Sequence, residues 1–256
     1  MVERIEDALS SRSHAVLPQD KQVLAWAMTA KAAGTKVLSD PAEQTKWLRH
    51  GKTWFVGVDA LPNDADGAID GVPLSGPWEG HVEAMPLHPA QLSVVFPGYP
   101  KQDPDESDAA HRFRKERCAA HLDGLLRVGP ENRRYLKEPH AWILGLPLTD
   151  VPNAPLVVWE GSHEIIREAF MVAFAGMPPS MWGEIDVTDI YKDARREVFE
   201  LCEPREVKMV PGQSVILHRL SIHGVAPWGK GLATEPRMVA YFRPLMKEQK
   251  DWLRAP

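Results

Sequence analysis

The chain has 256 residues, of which 44% are hydrophobic and 25% are charged, and its formal net charge is −5. This balance is ordinary for a globular protein. It offers no basic surface for nucleic acid or an anionic membrane, and no apolar run is long enough to cross a bilayer. We therefore expect a small molecule as the partner, and the sequence leaves the oligomeric state open.

The cysteines and the N-terminus favour a cytoplasmic location. Cys118 and Cys202 are the only cysteines. Two are too few for a disulfide framework and fit a reducing compartment. Residues 1–7 lack the basic start and the apolar core of a signal peptide, so export is not expected.

The length predicts one domain over residues 1–256, with a helical N-terminal part at about 1–52. Apolar spacing predicts a helix through Val2 and Leu9, and a second from Lys21 to Ala33 that ends at Gly34. A third helix is predicted to begin after Asp40, with Glu43 reaching back to its start, and to stop at Gly51.

Beyond residue 52 the pattern changes to short runs of β-forming residues separated by turn signals, and the predicted core covers about 81–245. Strands are predicted at 53–58, 91–96, 140–149, 155–159, 207–210, 214–220 and 238–242. Helices are predicted at 105–118, with Ser107 as its cap, and at 164–175 and 189–202. Residues 62–77 form a Gly/Asp/Pro loop that reads as a surface lid or decoration. Many short strands favour a β-sandwich or barrel with helices packed around it.

His121 and Asp123 are the first candidates for metal ligands. Residues two apart lie on the same side of an extended chain, so an imidazole and a carboxylate would point the same way. His218 and His223 both offer a third ligand about one hundred residues later. Two histidines and one carboxylate are the ligand set of non-haem iron(II) oxygenases, which leave the other coordination positions open.

The order of these motifs along the chain resembles the phytanoyl-CoA dioxygenase-like family of iron(II)/2-oxoglutarate oxygenases. The resemblance covers residues 81 to 245 and rests on five features in order: His121-x-Asp123, Gly161-Ser162-His163, Pro211-Gly212 through His218, His223-Gly224, and Arg237. It implies a double-stranded β-helix, or jelly roll, as the core. It selects His223, which precedes a glycine, over His218 as the third ligand.

The resemblance also implies the cofactors and the reaction. Iron(II) would be held by His121, Asp123 and His223, and Arg237 would bind the distal carboxylate of the cosubstrate 2-oxoglutarate, with Arg243 as the alternative. Ascorbate would serve as a reductant. Halogenating relatives have a small residue at the position of Asp123, so a carboxylate there implies hydroxylation, with succinate and CO2 as coproducts.

The sequence departs from the family pattern at two places. Members commonly have Pro-Gly-Ser-His where this chain has Trp159-Glu160-Gly161-Ser162-His163. They also often carry a hydroxyl residue at the position of Val225, where it gives a second contact to the cosubstrate. These departures motivate an alternative, a non-catalytic jelly-roll protein that binds a small molecule. Trp159 is expected either in the cosubstrate pocket or in the core.

Three further features have both a functional and a structural interpretation. Ser162 suggests a serine hydrolase, but the nucleophile-elbow pattern is absent and a helix cap explains it more simply. Gln91 would bind cosubstrate or substrate, or lie at a solvated strand edge. The basic run 111–117, with Arg133 and Arg134 beyond it, would bind an acidic substrate or, as we expect, form a solvated helix face.

Overall fold

The computed structural model of the protein describes residues 4–231 and 233–254. Its described strands form a seven-stranded antiparallel sheet, a three-stranded sheet and a separate two-stranded hairpin. The strands are β1 (His14–Leu17), β2 (Leu48–Arg49), β3 (Trp54–Gly57), β4 (Gln91–Val95), β5 (Leu125–Val128), β6 (Arg133–Leu136), β7 (Trp142–Pro147), β8 (Leu156–Trp159), β9 (Pro204–Val207), β10 (Ser214–His218), β11 (His223–Val225) and β12 (Arg237–Phe242).

Six α-helices surround these strands within the described residues. They are α1 (Ile5–Arg12), α2 (Lys21–Ser39), α3 (Pro41–Trp47), α4 (Asp108–Glu116), α5 (Ser162–Ala173) and α6 (Thr188–Leu201), with short 3-10 helices at Pro179–Glu184 and Gln249–Asp251. None of the helices in 4–231 and 233–254 combines the length and apolar character that a bilayer crossing requires.

The two larger sheets form the jelly roll that the sequence predicts. The larger sheet has the order β1-β10-β7-β12-β4-β3-β2, and the smaller has the order β11-β8-β9. Side chains between the sheets, including Ile143, Val158 and Leu217, form an apolar layer. Because side chains alternate along a strand, the opposite face of the larger sheet is also apolar, and α2 covers it through Trp26 and Ala30.

Three predicted helix features differ from the structure. Gly34 lies inside α2 rather than at its end, at a point where the helix packs closely on β4: a Cβ there would lie 3.1 Å from Leu92 Cδ1, so glycine favours this close packing. The third helix ends at Trp47, where β2 begins, well before Gly51. Glu43 accepts a hydrogen bond from Trp47 Nε1 at 2.9 Å instead of reaching back to the helix start.

Other predicted elements stand with small shifts. Asp40 and Ser107 cap their helices as expected. The strand predicted at 207–210 is found at Pro204–Val207. Four features were not predicted from the sequence: the β5–β6 hairpin and the strands β1, β2 and β11. Val2 lies outside the described residues. The 62–77 loop packs on the α2 side, where Trp26 Nε1 donates to Gly67 O at 2.8 Å.

The segment that carries His121 runs beside β11, and the two backbones are in close contact. His121 N donates to His223 O at 2.9 Å and His223 N donates to His121 O at 3.1 Å. A Cβ on Gly224 would lie 2.2 Å from the carbonyl oxygen of Cys118. Glycine is therefore required at this position by the close approach of two backbones.

We expect Gly224→Ala to push these two segments apart. The overlap with Cys118 O should lower the free energy of unfolding by at least ~2 kcal/mol, measured by urea denaturation. Gly229→Ala is the matched control, because the nearest atom to its Cβ is 3.9 Å away, and it should change stability by less than ~0.5 kcal/mol. Equal stability of the two variants would contradict the packing argument.

Candidate metal centre

The structure brings His121, Asp123 and His223 together. One ligand atom from each residue lies within 4.8 Å of the other two, and no other such group of three occurs in residues 4–231 and 233–254. His121 Nε2 is 3.2 Å from Asp123 Oδ1, and His223 Nε2 is 3.7 Å from Asp123 Oδ2. Ligands at right angles and about 2.1 Å from a metal are about 3 Å apart, so small rotations of these side chains would let all three bind one ion.

Both imidazoles are held by the same local contact. His121 Nδ1 lies 3.0 Å from Ala119 O, and His223 Nδ1 lies 3.1 Å from Ser221 O, in each case the carbonyl two residues earlier. A carbonyl accepts only an N–H, so these two contacts suit the tautomer with its proton on Nδ1, in which Nε2 would be the atom that binds a metal. The rings are 4.8 Å apart between centroids, and the Nε2 atoms of both lie on the side of Asp123.

Asp123 is charged and fixed in position by Arg243. Arg243 Nη1 donates to Asp123 Oδ2 at 3.2 Å, and Arg243 Nη2 donates to Gln91 Oε1 at 2.5 Å. Burial opposes ionisation of Asp123, but Arg243 and the two imidazoles outweigh it and hold the pKa of this carboxyl well below its usual value. Gln91 thus lines the cavity at the metal centre and holds the arginine that orients the ligand.

His223 is neutral at neutral pH, as a metal ligand must be. Burial is the main cause that lowers the pKa of His223 to about 4, and the charge of Asp123 only partly offsets it. No proton therefore has to leave this imidazole before a cation binds.

Tyr191 on α6 supports the loop between the first two ligands. The backbone N–H of Leu122 donates to the Tyr191 hydroxyl at 3.0 Å, and both residues are buried. Nothing in the sequence marks this residue, because Tyr191 lies 69 positions from Leu122 and resembles any aromatic residue on the apolar face of a helix.

Arg237 is buried on the strand that also carries the cavity residue Tyr241, although it is not itself a lining residue, and it has no anionic partner among the described residues. It starts β12, is 6% exposed, and its Nη1 has no hydrogen-bond partner. Alternation along β12 puts Arg237 on the same face as Val239 and Tyr241. The cavity is about 330 Å³ in volume, and its wall includes Tyr241, Val225 and the three candidate ligands. A buried guanidinium without a carboxylate calls for an anionic ligand.

Ser162 and Trp159 have structural roles. Gly161 takes the N-cap position of α5, and Ser162 Oγ accepts a hydrogen bond from Ile222 N at 2.9 Å, so the predicted cap is wrong. This contact holds the residue immediately before His223. His163 Nε2 bonds to Ser10 O rather than to the Ser162 hydroxyl, so no base is paired with this serine. Trp159 is core, packed on Phe199.

His218 lies on the other face of its strand. On β10 the residues Val215 and Leu217 point between the sheets, so His218 points outward and pairs with His163, at 4.8 Å between ring centroids. Burial, and then the positive charge of Arg219, hold the pKa of His218 well below its usual value. The structure thus separates the two histidines that compete for the third ligand position, and it is His223 that lies with His121 and Asp123.

Comparisons with known proteins agree with the fold. No protein-family model and no curated protein matches the chain. The chain aligns with the solved structure of SnoK, a non-heme alpha ketoglutarate dependent carbocyclase from nogalamycin biosynthesis, at a TM-score of 0.53 and 13% identity. The alignment covers 96% of this chain and 84% of SnoK.

Two further solved structures align over most of this chain with lower scores. The epimerase SnoN in complex with Fe3+, alpha ketoglutarate and nogalamycin RO has a TM-score of 0.48 at 14% identity, covering 94% of this chain and 82% of that one. EctD from S. alaskensis with 2-oxoglutarate and 5-hydroxyectoine has a TM-score of 0.46 at 15% identity, covering 93% and 73%. The chain therefore has the jelly-roll fold of SnoK, and its own residues must decide the chemistry.

We expect Tyr191→Phe to weaken the metal centre as well as the fold. Loss of the hydroxyl leaves the buried Leu122 N–H unpaired, which costs about 1–3 kcal/mol and frees the loop that carries His121 and Asp123. Urea denaturation and Mn(II) binding followed by electron paramagnetic resonance would measure both effects. Tyr135→Phe is the control, since no hydrogen bond to a described residue involves its hydroxyl; losses of equal size in the two variants would argue against the role of Tyr191.

The neutral state of His218 predicts a pH dependence of stability. Below pH ~6.5 this imidazole binds a proton in the unfolded chain but stays neutral in the folded protein. The free energy of unfolding should therefore decrease as the pH is lowered, by about 2 kcal/mol for this one group between pH 6.5 and 5. Urea denaturation of metal-free protein at these two pH values measures the loss. His218→Asn should remove that part of the pH dependence, and an unchanged dependence in the variant would show that His218 is protonated in the fold.

Proposed function

We propose that the protein is an iron(II)/2-oxoglutarate-dependent dioxygenase that hydroxylates a small molecule. The observation that carries this proposal is a pair of features in one jelly roll: three metal-ligand side chains gathered at one cavity, and a buried arginine, without an anionic partner among the described residues, on the same strand as the cavity residue Tyr241. Two imidazoles and one carboxylate suit iron(II) and leave coordination positions for small molecules. The motif order that resembles the phytanoyl-CoA dioxygenase-like family and the fold shared with SnoK point the same way.

The residues present fit this cofactor and cosubstrate. The Nε2 atoms of His121 and His223 and one oxygen of Asp123 would hold the metal, while Arg243 keeps the carboxylate ionised and oriented. Arg243 is engaged with Asp123 and Gln91, so of the two arginines that the sequence offers for this role, Arg237 is the one free to pair with the distal carboxylate of 2-oxoglutarate.

The walls of the cavity supply the remaining contacts. The Tyr241 hydroxyl is buried without a hydrogen-bond partner and is a second donor for the cosubstrate. It provides polar contact in a site where Val225 has no hydroxyl. Ile143, Leu156 and Val225 give the same cavity an apolar wall beside its polar groups, and this wall would limit the access of water to the reacting atoms.

When bound, iron and 2-oxoglutarate would supply the oxidising chemistry. This chemistry would place one oxygen atom of O2 in succinate, with loss of CO2 from 2-oxoglutarate, and the other in a C–H bond of the substrate. The protein contributes by holding the ligands, orienting the target bond and excluding water. With an acidic net charge and two cysteines, we infer a small-molecule substrate and a reducing, cytoplasmic setting, with ascorbate as the reductant in assays.

The proposal is tested by the visible charge-transfer absorption that develops when iron(II) and 2-oxoglutarate bind together without oxygen. We expect the band in the wild-type protein and its loss in Asp123→Ala. Arg237→Met should raise the 2-oxoglutarate concentration needed by about tenfold or more, because a charge-assisted pair is lost. Arg205→Met, at an exposed ion pair with Glu160, is the control.

Turnover completes the test. With oxygen and ascorbate, the wild type should convert 2-oxoglutarate to succinate, and candidate substrates should accelerate this conversion. A wild-type protein that shows no band, or a band indifferent to Asp123→Ala, would overturn the proposal and favour a jelly-roll binding protein without catalysis.

A further inference from the structure

An open cleft of about 720 Å³ leads to the metal centre from outside the jelly roll. It shares with the inner cavity the ligands His121 and Asp123, together with Trp54 and Arg243. A molecule in this cleft would therefore lie directly against the candidate metal ligands. The cleft is walled by α4, α6 and the β5–β6 hairpin.

Six arginines line this cleft, and three of them have no carboxylate partner among the described residues. Arg114 is paired with Glu106, Arg133 with Asp186 and Asp189, and Arg243 with Asp123. In contrast, the structure shows no ion pair for the other three, which are Arg127, Arg134 and Arg195. The carboxylates that line the cleft do not neutralise them: Asp123 is held by Arg243, Glu138 lies 3.6 Å from His140, and Glu131 is exposed at the hairpin turn.

The three arginines are brought together by the fold rather than scattered. Arg127 and Arg134 are directly opposite each other in the register of the hairpin, an arrangement of like charges that costs stability. The guanidinium carbons of Arg134 and Arg195 each lie 5.3 Å from the centre of the Tyr191 ring. Burial lowers the pKa of Arg134, and the charges of Arg127 and Arg195 lower it further.

The cluster is anchored next to the metal ligands. Arg195 Nη1 donates to Ala120 O at 3.4 Å, so this guanidinium lies against the residue before His121. Arg195 is also held between aromatic rings, since Phe113 lies 4.7 Å from it on α4. Tyr191, whose ring lies near both guanidiniums, is the same residue whose hydroxyl accepts the hydrogen bond from Leu122 N. One side chain thus fixes the arginines relative to the ligand loop.

We propose that this cluster binds an anionic group, a phosphate, sulfate or carboxylate, of the substrate that the dioxygenase oxidises. The substrates of the enzyme would then be organic anions. That the bound anion is a substrate rests on the proposed function, but the existence of the anion site does not. Guanidiniums present several N–H donors in a fixed plane and recognise such oxyanions through paired hydrogen bonds. The anion would neutralise the opposed pair on the hairpin and hold the rest of the molecule over the metal centre.

Inorganic phosphate is the probe. In protein loaded with Mn(II) and saturated with 2-oxoglutarate, phosphate bound near His121 should show enhanced 31P relaxation, because the paramagnetic ion acts over short distances. We expect Arg134→Gln and Arg195→Gln each to weaken phosphate binding by about tenfold. Arg196→Gln, the neighbour of Arg195 that is exposed and paired with Asp193, should leave it within about twofold of the wild type. Competition by sulfate and by acetate tells which oxyanion is preferred.

The outcomes separate the anion site from the metal chemistry. If the wild type shows no relaxation effect, or if both cleft variants keep it, the anion site is wrong. If the variants lose phosphate binding while the iron(II)/2-oxoglutarate absorption band persists in them, the site is supported and the metal centre is intact. If the wild type lacks that band, the proposed function fails, and the anion site is then judged on metal-free protein. There, phosphate should raise the melting temperature of the wild type and of Arg196→Gln but not of Arg195→Gln.

Discussion

Two reciprocal backbone hydrogen bonds between His121 and His223 are the contact on which the centre depends. They join two segments one hundred residues apart as neighbours in an antiparallel pair, so that both imidazoles stand on the same side. Each ring is then fixed by a carbonyl of its own segment. The backbone of the His121 segment leaves no room for a side chain on the residue after His223, which explains the glycine at that position. The metal ligands therefore belong to the backbone framework of the jelly roll rather than to independent loops.

The sequence predicts the architecture well because alternation and turn residues are local signals. A β-sandwich or barrel, the helix caps at Asp40 and Ser107, and the order of most strands follow from them, and the family resemblance narrows the core to a jelly roll. The failures have tertiary causes. Gly34 stays inside α2 because β4 approaches that helix closely, and Ser162 turns inward because Ile222 needs an acceptor. The missed hairpin had one visible signal, the turn residues Gly129 and Pro130 between two β-forming runs.

The candidate site divides in the same way. Residue spacing names His121 and Asp123, and the family pattern prefers His223 to His218; alternation along β10 gives the physical reason, since it turns His218 away from the cavity. Spacing alone does not separate Arg237 from Arg243, because Arg243 directly follows β12, six positions after Arg237, so alternation puts both on the same face. Their neighbours separate them: one guanidinium is bonded to Asp123, and the other is buried without an anion.

The opposed arginines of the β5–β6 hairpin have a consequence for the energy landscape of the protein. Natural sequences avoid local conflict except where function requires it. The rung formed by Arg127 and Arg134 is such a conflict, because its two residues would be more stable apart than together in the ligand-free state. The hairpin is thus a frustrated element at the wall of the open cleft, and the anion that we propose for this cleft would relieve the conflict when it binds.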